Sequence, residues 1–278
     1  MTGTFKKNRD INELQDIARQ LRIDCLKMLH TAKCGHTGGP LGMMDLITVL
    51  YFSVMNHNPQ DPTWENRDRF ILSNGHTCPA LYVALAQAGY FPKAELSRLR
   101  KFGSPLQGHP KLKVEWGIEM STGSLGQGMS VANGIAFAAR MNQKDFISYS
   151  FHSDGEAQEG MIWEAALTAG HHKLDNRIAI LDYNNIQIDG FNDQIKNVMP
   201  LKEKFEAFRW AVCEIDGHDY EQILEAFDWA LSTRGQPKMI IARTVLGKGV
   251  SIFENQPKYH GVAPSDEELR IALQELGA

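Results

Sequence analysis

Phe146-Ile147-Ser148-Tyr149-Ser150-Phe151 leads through Ser153-Asp154-Gly155 to a stretch of helical spacing from Met161 to Ala169. Behind that come Ile178-Ala179-Ile180-Leu181-Asp182 and then Asn184-Asn185. A short apolar run stopped by Asp-Gly, a helix, and a second apolar run stopped by polar turn residues form a strand–helix–strand unit. Parallel strands need a crossover of this kind, since no tight hairpin can join them. Working outward, Phe70-Ile71-Leu72-Ser73 reads as another buried strand, ending at Asn74-Gly75-His76. Ala211 to Ile215 and Lys238 to Thr244 are further strands, with a helix from Tyr220 to Ser232 between them. Helices are also expected over Ile11 to Lys33, Met43 to Met55 and Pro79 to Ala88. A small-residue helix runs through Arg140 after Gly123-Ser124-Leu125-Gly126-Gln127-Gly128. In the first helix, Leu14, Ile17, Ala18, Leu21, Cys25, Leu26 and Leu29 fall on one stripe, which reads as core or interface. Strands alternating with helices predict an α/β fold, a parallel sheet with helices on both faces. No repeat or Pro/Ser-rich linker interrupts the pattern, so residues 1–278 are read as one domain.

Composition narrows the function. The chain carries 29 basic against 33 acidic residues, a net charge of −4. With a pI near 6.2 and no long basic run, nucleic acid is not an expected partner. No apolar stretch approaches the length of a membrane span, so no membrane partner is expected. Met1 to Asp10 is polar and lacks the apolar centre of a secretory signal. Cys25, Cys34, Cys78 and Cys213 form no C-x-x-C pair, which excludes a disulfide ladder or zinc knuckle by spacing and leads to an expected cytoplasmic location.

The informative residues stand where predicted strands end. In open α/β sheets, ligands bind at the carboxyl ends of the strands. Asn74-Gly75-His76, Ser153-Asp154-Gly155 and Asp182 to Asn185 all occupy such ends and could share one site. Asn184 follows Asp154 by thirty residues, one strand–helix–strand unit, so neighbouring strands would bring the two side chains to one edge. A carboxylate and an amide oxygen make a hard, oxygen-only set suited to Mg2+ or Ca2+ completed by phosphate oxygens and water. Gly155 would let a main-chain amide approach a phosphate closely. Taken singly, each pair is also explained as a turn capping a strand. His36, His76, His109 and His260, four of the ten histidines, sit next to glycine or in glycine-rich turns, whereas His171-His172 reads as a helix terminus. There is no G-x-x-x-x-G-K-[ST], G-x-G-x-x-G, H-E-x-x-H or G-x-S-x-G, so P-loop, dinucleotide, metalloprotease and serine hydrolase readings lack support.

Ser153-Asp154-Gly155-Glu156-Ala157-Gln158-Glu159-Gly160 followed by Asn184-Asn185 is similar to the thiamine diphosphate signature. Gly35 to Gly42, Ser73 to His76, Gly108-His109-Pro110 and Ser121 to Gly128 resemble, in order and spacing, the successive landmarks of transketolase. The resemblance covers nearly the whole chain and implies the thiamine diphosphate-binding fold, in its diphosphate-binding domain. It further implies that Asp154, Asn184 and the Ile186 carbonyl hold Mg2+, with Ca2+ or Mn2+ as possible substitutes, against the diphosphate of thiamine diphosphate. Gly155, His76 and His260 would contact the diphosphate, with His36 also on the cofactor. Gly123 and Leu125 would position the aminopyrimidine. His36, His109 and His260 would face the reacting carbons of a sugar phosphate, where imidazole suits proton transfer and oxyanion stabilisation near neutral pH. Glu159 resembles the acid that links two active sites across a dimer interface. The cofactor supplies the electron sink for a two-carbon ketol unit.

The departure from the family pattern is Ser153, which stands where Gly-Asp-Gly has its first glycine and would be strained at positive φ. A complete transketolase resembles this chain followed by two more domains, the first of which supplies the glutamate that activates the cofactor. The resemblance therefore implies the N-terminal subunit of a split transketolase, active only with a complementary C-terminal subunit bearing the pyrimidine-binding and C-terminal domains, in a dimer of heterodimers. Val131 to Ala139 is a candidate interface face, with packing against the sheet as its alternative. A split ketol transferase for a specialised catabolic sugar phosphate and a non-catalytic cofactor-binding module are the other readings.

Overall fold

Alternation along the central strands sends side chains to two separate cores. Ile178 and Ile180 join one apolar cluster with Tyr149, Phe151, Ile240 and Ala242. Their neighbours Ala179 and Leu181 join another with Met239 and Ile241. Such strands are covered on both faces, which is the situation of a parallel sheet clad in helices.

The computed structural model describes residues 5–278; residues 1–4 of the polar amino-terminal stretch lie outside the described residues. In chain order the first elements are α1 (Ile11–Ala32), α2 (Gly38–Gly42), α3 (Met44–Val49), β1 (Arg69–Leu72), α4 (Cys78–Ala88) and α5 (Gln127–Met141). Then come β2 (Ser148–Ser153), α6 (Gly160–His171), β3 (Arg177–Tyr183) and a two-stranded hairpin of β4 (Ile186–Gln187) and β5 (Gly190–Phe191). The chain ends with α7 (Asn192–Ile195), α8 (Leu201–Ala207), β6 (Ala211–Asp216), α9 (Tyr220–Ser232), β7 (Lys238–Arg243) and α10 (Asp266–Glu275). Among the described residues the main sheet has the order β1-β2-β3-β7-β6. All its ladders are parallel. The expected strands and long helices are all present, and α6 ends at the His171-His172 pair.

Three differences from expectation have local causes. The helix expected over Met43 to Met55 changes hydrogen bonding at Leu50, where a π-helical turn over Leu50–Val54 closes with Met55 N–H donating to the Leu50 carbonyl at 2.8 Å. Strand β2 extends to Ser153, whose backbone is not among the positive-φ residues, so serine carries no strain there. The left-handed residue of this edge is Asn185, at φ 63°, a conformation that asparagine tolerates better than most residues. Helix α10 is an addition to the expected elements, and Ser265 and Glu268 form a reciprocal capping box at its start.

A buried ion pair ties the helical layer to the segment after β7. Arg22 on α1 meets Asp45 on α3 through two hydrogen bonds of 2.8 Å, and it also donates to the carbonyls of Leu41 and Lys248. The Tyr220 hydroxyl donates to Asp45 at 2.6 Å. His218 bridges Asp45 (2.8 Å) and the Val245 amide (2.9 Å), so its Nδ1–H donates and its Nε2 accepts. Burial pushes the Asp45 carboxyl upward, but Arg22, His218 and Tyr220 hold it well below the usual carboxylate range. Removing one partner strands the other as an unpaired buried charge. Asp45→Ala should therefore lower folding stability by about 3–5 kcal/mol in urea denaturation, and a loss below about 1 kcal/mol, the worth of an exposed pair, would show that the pair is not structural.

Candidate active site

The parallel register carries four turns to one edge. Ser73-Asn74-Gly75-His76 follows β1, Asp154-Gly155-Glu156 follows β2, Asn184 to Ile188 follows β3, and Thr244-Val245-Leu246 follows β7. They enclose a cavity of about 310 Å3. His36, His76, His109, Gly123, Leu125, Gly155, Glu159, Asn184, Ile186 and His260 all line it, although they come from segments spread over more than two hundred residues. Asp154 lies beneath this lining, fully buried, with its carboxylate accepting from the amides of Gly155 (2.8 Å) and Asn185 (2.5 Å).

Three imidazoles face one another. Ring centroids are 5.1 Å apart for His36 and His76, 5.3 Å for His76 and His260, and 5.7 Å for His36 and His260. His109 is more exposed and lies against Gly123, where an added Cβ would come within 3.3 Å of the ring. Burial, reinforced by the neighbouring cationic and imidazole groups, lowers His36 to about 4 and His76 to about 3. Burial also lowers His109 and His260. At neutral pH the cluster is uncharged, and each ring offers one N–H donor and one bare nitrogen.

The acidic side of the cavity is under the opposite stress. Asp182 at the end of β3 is buried beside Asp154, with Thr244 and Asn184 donating to it. Burial, followed by the charge of Asp182, raises Asp154 to about 7; burial raises Asp182 to about 6. The hydrogen-bond donors to both carboxylates are amides and a hydroxyl, none of them cationic. Two adjacent buried carboxylates of this kind are relieved either by protonation of one or by a bound cation. Among the described residues no trio of His, Cys, Asp or Glu is arranged to hold a metal alone. A cation here would draw on amide, main-chain and ligand oxygens as well.

Gly155 has φ −62°, a conformation open to any residue, and an added Cβ would meet nothing closer than 3.5 Å. The chain itself does not require glycine there, so the missing side chain leaves room for something that approaches from the cavity. Asn74 of the strand-end cluster lines the cavity as well, and so do Gln187 and Leu246, which sequence reasoning does not single out. Asn74 stands in the turn that ends β1, where its neighbour His76 draws the attention, while Leu246 has no signal beyond following a strand.

Residues 13–278 match the family model described as "Transketolase, thiamine diphosphate binding domain". The chain belongs to the transketolase family. Its chemistry is thiamine diphosphate-dependent transfer of a two-carbon ketol unit. It is 42% identical to the 6-deoxy-6-sulfo-D-fructose transketolase subunit SqwG of Clostridium sp. (strain MSTE9), covering 95% of this chain and 96% of that protein. An apulose-4-phosphate transketolase subunit of Phocaeicola vulgatus is 39% identical over 95% of this chain and 93% of its own length. The crystal structure of transketolase from Campylobacter jejuni superposes with a TM-score of 0.91 at 38% identity, covering 96% of this chain but 43% of that one.

The histidine cluster sets a pH dependence. Because folding depresses these pKa values, the unfolded chain binds protons first as pH falls below about 6.5, so the stability they confer should decline from there toward pH 4. Histidine NMR should show His36 and His76 untitrated at pH 5.5. Half-protonation of either ring near 6.5 would contradict the burial argument.

Proposed function

We propose that this chain is a single thiamine diphosphate-binding domain that serves as the diphosphate-binding, N-terminal subunit of a split transketolase. With a complementary C-terminal subunit it moves a two-carbon ketol unit from a ketose phosphate to an aldose phosphate, using thiamine diphosphate and Mg2+. The observation that carries this reading is the set of unpartnered polar atoms around the cavity: Nδ1 of His36 and His260, both amide atoms of Asn74, and Nε2 of Gln187. Buried polar atoms are rarely left unpaired in a native protein unless a ligand completes them.

The residues fit the group. Asp154, the Asn184 amide oxygen and the Ile186 carbonyl supply hard oxygens for Mg2+, and the cation relieves the repulsion between Asp154 and Asp182. Gly155 leaves space for the diphosphate, with His76 and His260 as its hydrogen-bond partners. Gly123 and Leu125 hold the aminopyrimidine end, and His36 also reaches the cofactor. When bound, thiamine diphosphate supplies the nucleophilic carbon and the electron sink for the ketol unit. Uncharged His36, His109 and His260 donate hydrogen bonds to substrate oxygens and take up or return protons at their free ring nitrogens.

Glu159 is exposed at the N-cap of α6, and Val131 on α5 with Met161 and Leu167 on α6 are exposed apolar side chains. The opposite face of α5, with Met129, Ala132 and Ala136, is buried in the fold, which supports the packing reading for that face and leaves the exposed face of Val131 to Ala139 to the interface reading. We place the exposed side of α5 and the start of α6 at the contact between two copies in a dimer of heterodimers, with Glu159 linking the paired sites. A second reading keeps the chemistry and changes the sugar. Two subunit-length relatives are named for 6-deoxy-6-sulfo-D-fructose and apulose-4-phosphate, which favours a specialised ketose as donor.

The test is ketol transfer to ribose 5-phosphate, by the chain alone and with the complementary polypeptide, from xylulose 5-phosphate, 6-deoxy-6-sulfofructose and apulose 4-phosphate. Turnover only in the mixture supports the divided enzyme, and the preferred donor chooses between the two sugar readings. Turnover by the chain alone would refute the need for a partner, and silence throughout would favour a non-catalytic module. Asp154→Asn should abolish activity of the mixture and Mg2+ binding in calorimetry without lowering the thermal midpoint of the metal-free chain. Retained Mg2+ binding would remove Asp154 from the metal site.

A further inference from the structure

Glu156, which follows Gly155, is fully buried and has no role in the reading above. Its carboxylate gathers two distant segments onto the end of β2. Oε1 accepts from the Gly126 amide at 2.7 Å and from the Ser73 hydroxyl. Oε2 faces His152 Nδ1 at 3.1 Å and the Ser153 amide at 3.4 Å. His152 Nε2 in turn meets the Ser150 hydroxyl, which accepts from the buried Arg177 guanidinium. One proton arrangement satisfies every member: Arg177 donates to Ser150, the Ser150 hydroxyl donates to Nε2, and Nδ1–H donates to Glu156. The carboxylate is thus linked to a cation through uncharged groups, and its remaining capacity is spent on Gly126 and Ser73.

Gly126 is the residue on which the Gly123–Gly128 loop turns into α5. It has φ 89°, and its N–H belongs to the peptide plane it shares with Leu125. Fixing that N–H fixes the plane, and with it the place of Leu125 in the cavity. The same carboxylate holds Ser73, against which Gly128 packs so closely that a side chain there would collide. We propose that Glu156 is a positioning residue that fastens the Gly123–Gly126 loop, on the aminopyrimidine side of the site, to the Asp154–Gly155 loop on its diphosphate side.

The proposal rests on the cofactor reading, and its test separates the two. The full chain is mixed with its complementary polypeptide and Mg2+, and binding of thiamine diphosphate is compared with binding of inorganic pyrophosphate. Pyrophosphate engages the diphosphate loops only. Failure of the unaltered protein to bind either ligand would sink the cofactor reading itself. Given that binding, Glu156→Ala and Glu156→Asp should weaken thiamine diphosphate by about ten-fold or more, the worth of one hydrogen bond to a charged group, while pyrophosphate affinity stays within about two-fold. Aspartate keeps the charge but is too short to reach Gly126, so it carries the test if the alanine variant does not fold. Glu156→Gln keeps an acceptor for Gly126 and should restore most of the affinity, with the His152 proton moving from Nδ1 to Nε2 in histidine NMR. Equal weakening of both ligands, or of neither, would overturn the positioning role.

Discussion

Adjacent parallel strands bring Asp154 and Asp182 to the same edge, where both are buried without a basic side chain donating to either. That local repulsion is the constraint on which the site depends. The register pairs Ser153 with Asp182, and the Asp154 amide donates to the Asp182 carbonyl at 3.1 Å, so the sheet holds the two residues side by side. Amides and a hydroxyl moderate the charge, but burial still dominates and raises both groups. In the proposed reading a divalent cation with phosphate oxygens would resolve the conflict, and the same ligand would complete the unpartnered imidazole and amide atoms around it.

The surrounding fold carries the cost of this arrangement. The Arg22–Asp45 pair with His218 and Tyr220 clamps α1, α3 and the turn after β7, so that Leu246 closes the cavity wall. Gly38 packs directly on Leu246, close enough that a side chain there could not be accommodated. The loop that carries His36 is therefore braced from below, and the three imidazoles hold their mutual distances without hydrogen bonds to one another.

Much of this is legible in the sequence because it lies in short local patterns. The continuous apolar run Ile178 to Leu181 and the spacing of Asp154 and Asn184 specify neighbouring buried strands with polar ends. The histidines stand in glycine turns and do meet in one cavity. What the sequence hides has a physical reason. The hairpin of Ile186–Gln187 with Gly190–Phe191 has strands of two residues, too short for any periodicity. Nothing in the local sequence marks Glu156 for burial, since its carboxylate is held by Ser73 and Gly126, which arrive from elsewhere, together with nearby His152. Ser153 is strained only if it is placed in a turn; as the last residue of β2 it is not.

The central claim is that Asp154, Asn184 and the Ile186 carbonyl hold a divalent cation against a diphosphate in this cavity. The most direct measurement is anomalous diffraction from crystals of the chain with its complementary polypeptide, grown with thiamine diphosphate and Mn2+ in place of Mg2+. The account predicts one manganese peak within bonding distance of those three oxygens and of the diphosphate. A peak elsewhere, or cofactor density without a metal at Asp154, would contradict it.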